Sequence, residues 1–152
     1  MKQLIALSLF LIIGSAAVSA QKVEAKPPAT NRDSPTDASA REAAEKLVAK
    51  YTLNADQAKQ MYTIQQRKQR NFGQIESLKA TDRGLYLAKL ESAQKGTLAS
   101  IRRILQTKEQ VELYQKTQAE VRTQRAVKRK ELTGQNLSKE DIQAALLEIY
   151  AE

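Results

Sequence analysis

The sequence predicts an all-α protein, an elongated helical hairpin with flanking shorter helices, about five helices in all, behind a cleaved leader and a flexible tether. Three observations carry this. No proline follows Pro35. Ala, Leu, Glu, Lys, Gln and Arg, the residues that lose least on entering a helix, dominate from Ser39 onward. No long stretch alternates apolar and polar residues with the period of two that a half-buried strand requires.

Residues 1–20 read as a secretory signal peptide. Lys2 precedes an apolar run over residues 4–13, and the small residues Val18, Ser19 and Ala20 lead to a cleavage point before Gln21. The apolar run is barely long enough for a hydrocarbon core of about 30 Å, and Ser8, Ser15 and Ser19 interrupt it, so cleavage is expected rather than a retained transmembrane span. Residues 21–38 hold Pro27, Pro28 and Pro35 among polar residues. Such a segment has little apolar surface to offset the entropy of ordering, and it reads as a tether. The helical domain then covers 39–152.

Helix starts follow from caps, where a side-chain oxygen satisfies orphaned backbone amides and a Glu, Gln or Asp three residues on reaches back. Ser39 is expected to open a short first helix with Ala44, Leu47, Val48 and Tyr51 on its apolar face. Asn54-Ala55-Asp56-Gln57 opens the second, with Met61, Ile64, Phe72, Ile75 and Leu78 in a stripe that Lys68 interrupts. The chain turns over residues 80–84, with Thr81 or Asp82 capping a third helix that carries Leu87, Leu90, Leu98, Ile101, Ile104 and Leu105. Gly96 inside it suggests close helix contact. A fresh start at Thr107-Lys108-Glu109-Gln110 breaks the chain near Gln106, and Gly134 ends the fourth helix. Ser138 caps the fifth, with Leu137 and Ile142 placed as a hydrophobic staple. The apolar residues are thin for five helices, which predicts an extended shape and a homodimer that buries more of the stripes.

The chain has 25 Lys and Arg against 17 Asp and Glu, a net charge of +8 that becomes +7 once Lys2 leaves with the leader. In a cytosolic protein this would suggest nucleic acid. Export turns the expectation to exported or unfolded proteins and to anionic envelope surfaces, although the same charge also serves simple solubility. Cysteine and histidine are both absent. A disulfide framework is thereby excluded, and the commonest transition-metal ligand and neutral-pH general base are missing. Ser92-Ala93-Gln94-Lys95 matches a Ser-x-x-Lys pair but lacks the companion motifs that make such a lysine useful. No enzyme activity, cofactor or metal is expected.

The recurrent element is a cap followed by glutamine. Leu53-Asn54-Ala55-Asp56-Gln57 begins one long helix, and Leu105-Gln106-Thr107-Lys108-Glu109-Gln110 begins another. This resembles the paired Leu-Thr-x-x-Gln motif of periplasmic proteins of the Spy and CpxP type, over about residues 39–132. Asn54 stands in the threonine position, and Leu105 lies one residue further from its glutamine than Leu53 does. Each box by itself also serves ordinary backbone satisfaction, so Leu53, Asn54, Gln57, Leu105, Thr107 and Gln110 read as motif or as caps.

The resemblance implies a small exported helical protein that acts without ATP as an envelope-stress chaperone or modulator, through a dimer of hairpins. Its unfolded clients would be met by charge and by shallow apolar contact. Candidate residues are Met61, Tyr62, Arg67, Lys68 and Arg70 on the second helix and Arg102 and Arg103 on the third. Ordinary core is the competing role for Met61 and Phe72, and a solvated face for the charges. A different class of function, a structural or adaptor protein on an envelope partner or anionic surface, would use the basic stripe Arg122, Arg125, Lys128 and Arg129.

Overall fold

Proline at the first helical position has its φ already set and loses no hydrogen bond there, and Pro35 opens the first helix in this way. The computed structural model describes residues 35–152, so the leader and residues 21–34 of the expected tether lie outside the described residues. Helix α1 spans Pro35–Tyr51, α2 Ala55–Glu76, α3 Leu78–Thr81, α4 Arg83–Ile104, α5 Lys108–Thr133 and α6 Lys139–Glu148. No strand occurs among the described residues. The fold is all-α, with α3 a single turn at the bend between the hairpin arms α2 and α4.

The first helix begins before the Ser39 cap that the sequence suggests, and tertiary contact is the reason. Asp37, in the first turn of α1, is buried. Its carboxylate accepts hydrogen bonds from the Tyr62 hydroxyl and from Gln66 Nε2 at 2.7 Å, both on α2. Ser39 accepts from Gln69 Nε2 at 3.2 Å instead of capping a helix. Residues 35–38 therefore belong to the helical domain and not to a tether.

The other starts fall at the capping residues. Asp82 accepts from the Leu85 amide at 2.9 Å and opens α4, and Ser138 accepts from the Asp141 amide at 3.1 Å and opens α6. Gly134 is the C-cap of α5. Leu137, placed by the sequence as half of a staple, stays 41% exposed.

The main core lies where α1, α2 and α4 meet. Ala44, Leu47 and Tyr51 of α1 pack with Met61 and Ile64 of α2 and with Ile101, Ile104 and Leu105 at the end of α4; Leu53, Tyr62, Val111 and Tyr114 close its sides. Each side chain lies on the face that its three-and-four spacing selects. A 22-residue helix such as α2 or α4 rises about 33 Å, so this core occupies one end of the hairpin, while α6 packs on α4 towards the α3 end, where Leu87, Leu146 and Leu147 are buried and Arg83 pairs with Asp141. No described helix is long and apolar enough to cross a membrane.

Gly96 does not mediate a close helix contact: a Cβ built there, or at Gly73 in α2, meets nothing within 4 Å. Both glycines sit in helix interiors, where they leave the unfolded chain needlessly free. Gly73→Ala and Gly96→Ala are each expected to raise stability by about 0.5–1 kcal/mol, read as an increased urea midpoint. A decrease at either position would show that it needs a bare backbone.

Candidate functional site

The two motif glutamines meet. Gln57 and Gln110 each occupy the third position of a helix, and each returns its side-chain oxygen to the backbone at its own cap. Gln57 Oε1 accepts from the Asn54 amide at 3.0 Å while Asn54 Oδ1 accepts from the Gln57 amide at 2.9 Å. Gln110 Oε1 accepts from the Gln106 and Thr107 amides at 3.0 and 3.3 Å while Thr107 Oγ1 accepts from the Gln110 amide at 3.3 Å. A carboxylate could do this much. What a carboxylate lacks is the remaining NH2 group, and both glutamines use it across the fold.

Gln57 Nε2 donates to Gln110 Oε1 at 3.0 Å and to the Ile104 carbonyl at the end of α4 at 2.7 Å. Gln110 Nε2 donates to Gln57 Oε1 at 3.2 Å and to the Thr52 carbonyl just beyond α1 at 3.4 Å. The result is a reciprocal clasp between two helix corners, α1–α2 and α4–α5, with both glutamines buried. Thr52 itself has a left-handed φ of 49°, which a β-branched residue rarely adopts. That conformation lets the Leu53 amide reach back to the Val48 carbonyl at 3.0 Å and close the end of α1. The added residue at the second corner is Gln106, whose amide supplies the further donor to Gln110, so the register difference between the two motifs is absorbed within the clasp.

The chain matches no protein-family model, no curated protein and no solved structure.

The structure separates the sequence-named contact residues into several groups. Met61 is completely buried within the main core, so it is a packing residue and not an available client contact. Tyr62 is half-buried, its hydroxyl committed to Asp37 and its ring under the Arg41 guanidinium. Arg70, Arg102 and Arg103 are exposed. Arg67 is exposed as well and donates to Ser100 Oγ at 2.6 Å across the hairpin. Lys68 is half-buried, and it interrupts the apolar stripe of α2 because it pairs with Glu152 at 2.8 Å while lying over the rings of Phe72 and Tyr150.

The expected stripe on α5 is not a uniform exposed face. Arg122 and Arg129 are exposed. Lys128 pairs with Glu131 at 3.3 Å, and Arg125 turns inward to donate to the Ile149 carbonyl at 2.8 Å. Arg125 is thus a structural donor that links α5 to residues after α6. A uniform row of free cations needs all of these side chains unengaged, and two of them are engaged.

An open basic groove does form. It lies between α2 and α4, encloses about 430 Å³ and is lined by Arg67, Lys89 and Arg103, by polar side chains such as Asn71, Gln74 and Thr97, and by Ile75 and Ala93. Its lining contains no carboxylate. In high dielectric, such a group of like charges attracts acidic polymers over roughly a Debye length and is screened by salt.

Sequence reasoning missed the buried polar interior. Gln65 and Gln94 are buried, donating respectively to Glu152 Oε2 at 2.8 Å and to the Leu147 carbonyl at 3.0 Å. Nothing in their local pattern distinguishes them from solvated helix glutamines. Tyr150 sits in the same interior. Burial, with Glu152 beside it, holds its phenol well above the ordinary value of 10.0, and burial raises Tyr51 and Tyr114 in the same direction.

A phenol whose folded pKa exceeds its unfolded one keeps its proton longer in the native state. Its stabilising contribution is complete below pH 10.0 and falls as the unfolded chain begins to ionise above that value. Thermal unfolding midpoints are therefore expected to hold between pH 8 and 9.5, approximately, and to drop steeply above about pH 10, with Tyr150→Phe flattening the drop. A slope unchanged by Tyr150→Phe would place the alkaline sensitivity elsewhere.

Proposed function

We propose that this chain is an exported, non-enzymatic binding protein, an ATP-independent periplasmic chaperone or envelope-stress modulator of the Spy and CpxP type. The observation that carries the reading is the open basic groove of α2 and α4, where Arg67, Lys89 and Arg103 border a mainly polar lining whose apolar members are Ile75 and Ala93. The clasp of Gln57 and Gln110 supports it as well, because the two motifs on which the resemblance rests act as a pair in space.

The mechanism follows from the groove's two parts. Guanidinium and ammonium groups attract an unfolded, partly acidic client before contact. Small apolar contacts, such as those of Ile75 and Ala93, then hold it weakly together with polar ones, and many weak contacts exchange quickly enough to release a client that folds. No nucleotide or bound metal takes part. Binding and release are set by the client's own exposed apolar surface, which disappears on folding.

The purified chain, residues 21–152, is expected to slow aggregation of a chemically unfolded client at near-stoichiometric ratio, and to do so less well as salt rises. Arg67→Glu with Arg103→Glu should remove most of the protection while leaving helicity intact. Absence of protection at every salt concentration would reject the reading.

A further inference from the structure

Residues 149–152 follow α6 without regular structure and are held by side chains of α1, α2 and α5. Three of their four backbone carbonyls accept from side chains. Arg125 Nε of α5 donates to the Ile149 carbonyl at 2.8 Å and Gln118 Nε2 of α5 to that of Ala151 at 3.0 Å, while Gln94 Nε2 of α4 holds the Leu147 carbonyl in the last turn of α6 at 3.0 Å. Lys50 Nζ of α1 donates to the Glu152 carbonyl. Donors directed at carbonyls recognise a peptide backbone without regard to the side chains it carries.

Side-chain recognition is confined to one end. The Glu152 side chain is only 9% exposed and pairs with Lys68 at 2.8 Å. It also accepts from Gln65 Nε2 at 2.8 Å and from the Tyr150 hydroxyl at 2.7 Å. The Lys68 ammonium lies 5.7 Å from the Phe72 ring centroid and 5.3 Å from that of Tyr150. Gln65 is 0% exposed, yet its Oε1 has no hydrogen-bond donor. The resident segment therefore leaves a buried acceptor of the site unused, which a different peptide could satisfy with an N–H.

We infer that this channel is a binding site for extended polypeptide carrying an aromatic residue followed two positions later by a carboxylate, and that residues 149–152 are its resident, exchangeable occupant. A tethered occupant competes at an effective concentration of about millimolar, so an external peptide meets a channel that is closed most of the time. The inference deepens the reading of the chain as a polypeptide-binding protein and rests on that reading for its biological use. Its site is separate from the α2–α4 groove.

The test uses a fluorescein-labelled hexapeptide, Leu-Glu-Ile-Tyr-Ala-Glu, and the full chain. Tyr150→Ser with Glu152→Gln should free the channel and bind the peptide at least about tenfold more tightly than the unaltered chain. Adding Gln118→Leu and Arg125→Met, which removes two carbonyl donors, should abolish that gain, and a peptide with Gln in place of its final Glu should bind poorly. Equal affinity of the freed and unaltered chains, or no binding by a freed chain that keeps its circular dichroism, overturns the inference.

If the freed chain unfolds, hydrogen exchange on the unaltered chain decides. Saturating peptide should accelerate exchange at residues 149–152, and unchanged exchange overturns the inference. A chain that binds the hexapeptide but gives no client protection keeps the site and loses the chaperone role, so the two failures are told apart.

Discussion

Gln57→Leu is expected to lower unfolding stability by about 3 kcal/mol in urea titrations, an effect larger than removal of an ordinary helix cap. The change removes the return bond to the Asn54 amide, withdraws a donor from the Ile104 carbonyl, and leaves the buried Gln110 NH2 group with the Thr52 carbonyl alone. Each buried polar group left without a partner costs about 1–3 kcal/mol. Gln57→Glu is the sharper variant. It retains the capping box but sets a carboxylate against the Ile104 carbonyl and Gln110 Oε1, with no hydrogen to offer either. It should be at least as damaging at neutral pH.

The reciprocal geometry also fixes how the two glutamines couple. Gln57→Leu with Gln110→Leu removes the partly satisfied buried amide that either single variant leaves behind, so the double variant should lose less than the sum of the singles by more than about 1 kcal/mol. Additive losses would mean that the two boxes act as independent caps. A single-variant loss under about 0.5 kcal/mol would dismiss the clasp as an anchor of the corner.

Met61→Ala is expected to cost a further large amount, about 3 kcal/mol, because it empties space among Leu47, Tyr51, Ile64 and Ile101 where no solvent reaches. The accompanying functional expectation is specific. Client protection per folded molecule should be unchanged, measured at a temperature well below the lowered midpoint. A loss of protection without a loss of stability would return Met61 to the contact surface.

The helix boundaries that depend on neighbouring residues in the chain were legible: Asn54, Asp82, Thr107 and Ser138 cap helices, and Gly134 ends one. A cap is decided within one turn, so its signal is complete in the sequence. The start of α1 was not, because Asp37 in its first turn is held by Tyr62 and Gln66 from another helix. Composition there resembles a linker until those partners are in place.

The candidate site divides along the same physical line. Gln57 and Gln110 stood out through local spacing, whereas the carbonyls that receive their NH2 groups belong to distant corners of the chain. Lys68 was visible as a flaw in an apolar stripe, but its partner Glu152 lies on no shared element. α6 stops at Glu148, and the Ile149 and Ala151 carbonyls beyond it accept from side chains of α5, partners that no local pattern shows. Periodicity reports which face is greasy; it carries no information on whether a buried Met61 meets another helix or a visitor.

The joint between the two corners is built wholly from neutral amides. It has no midpoint of protonation across the range in which proteins work, and no ionic atmosphere can weaken it as it would a pair of opposite charges. Acidification or brine should therefore loosen the surface ion pairs of this molecule while the angle at its hinge point stays fixed.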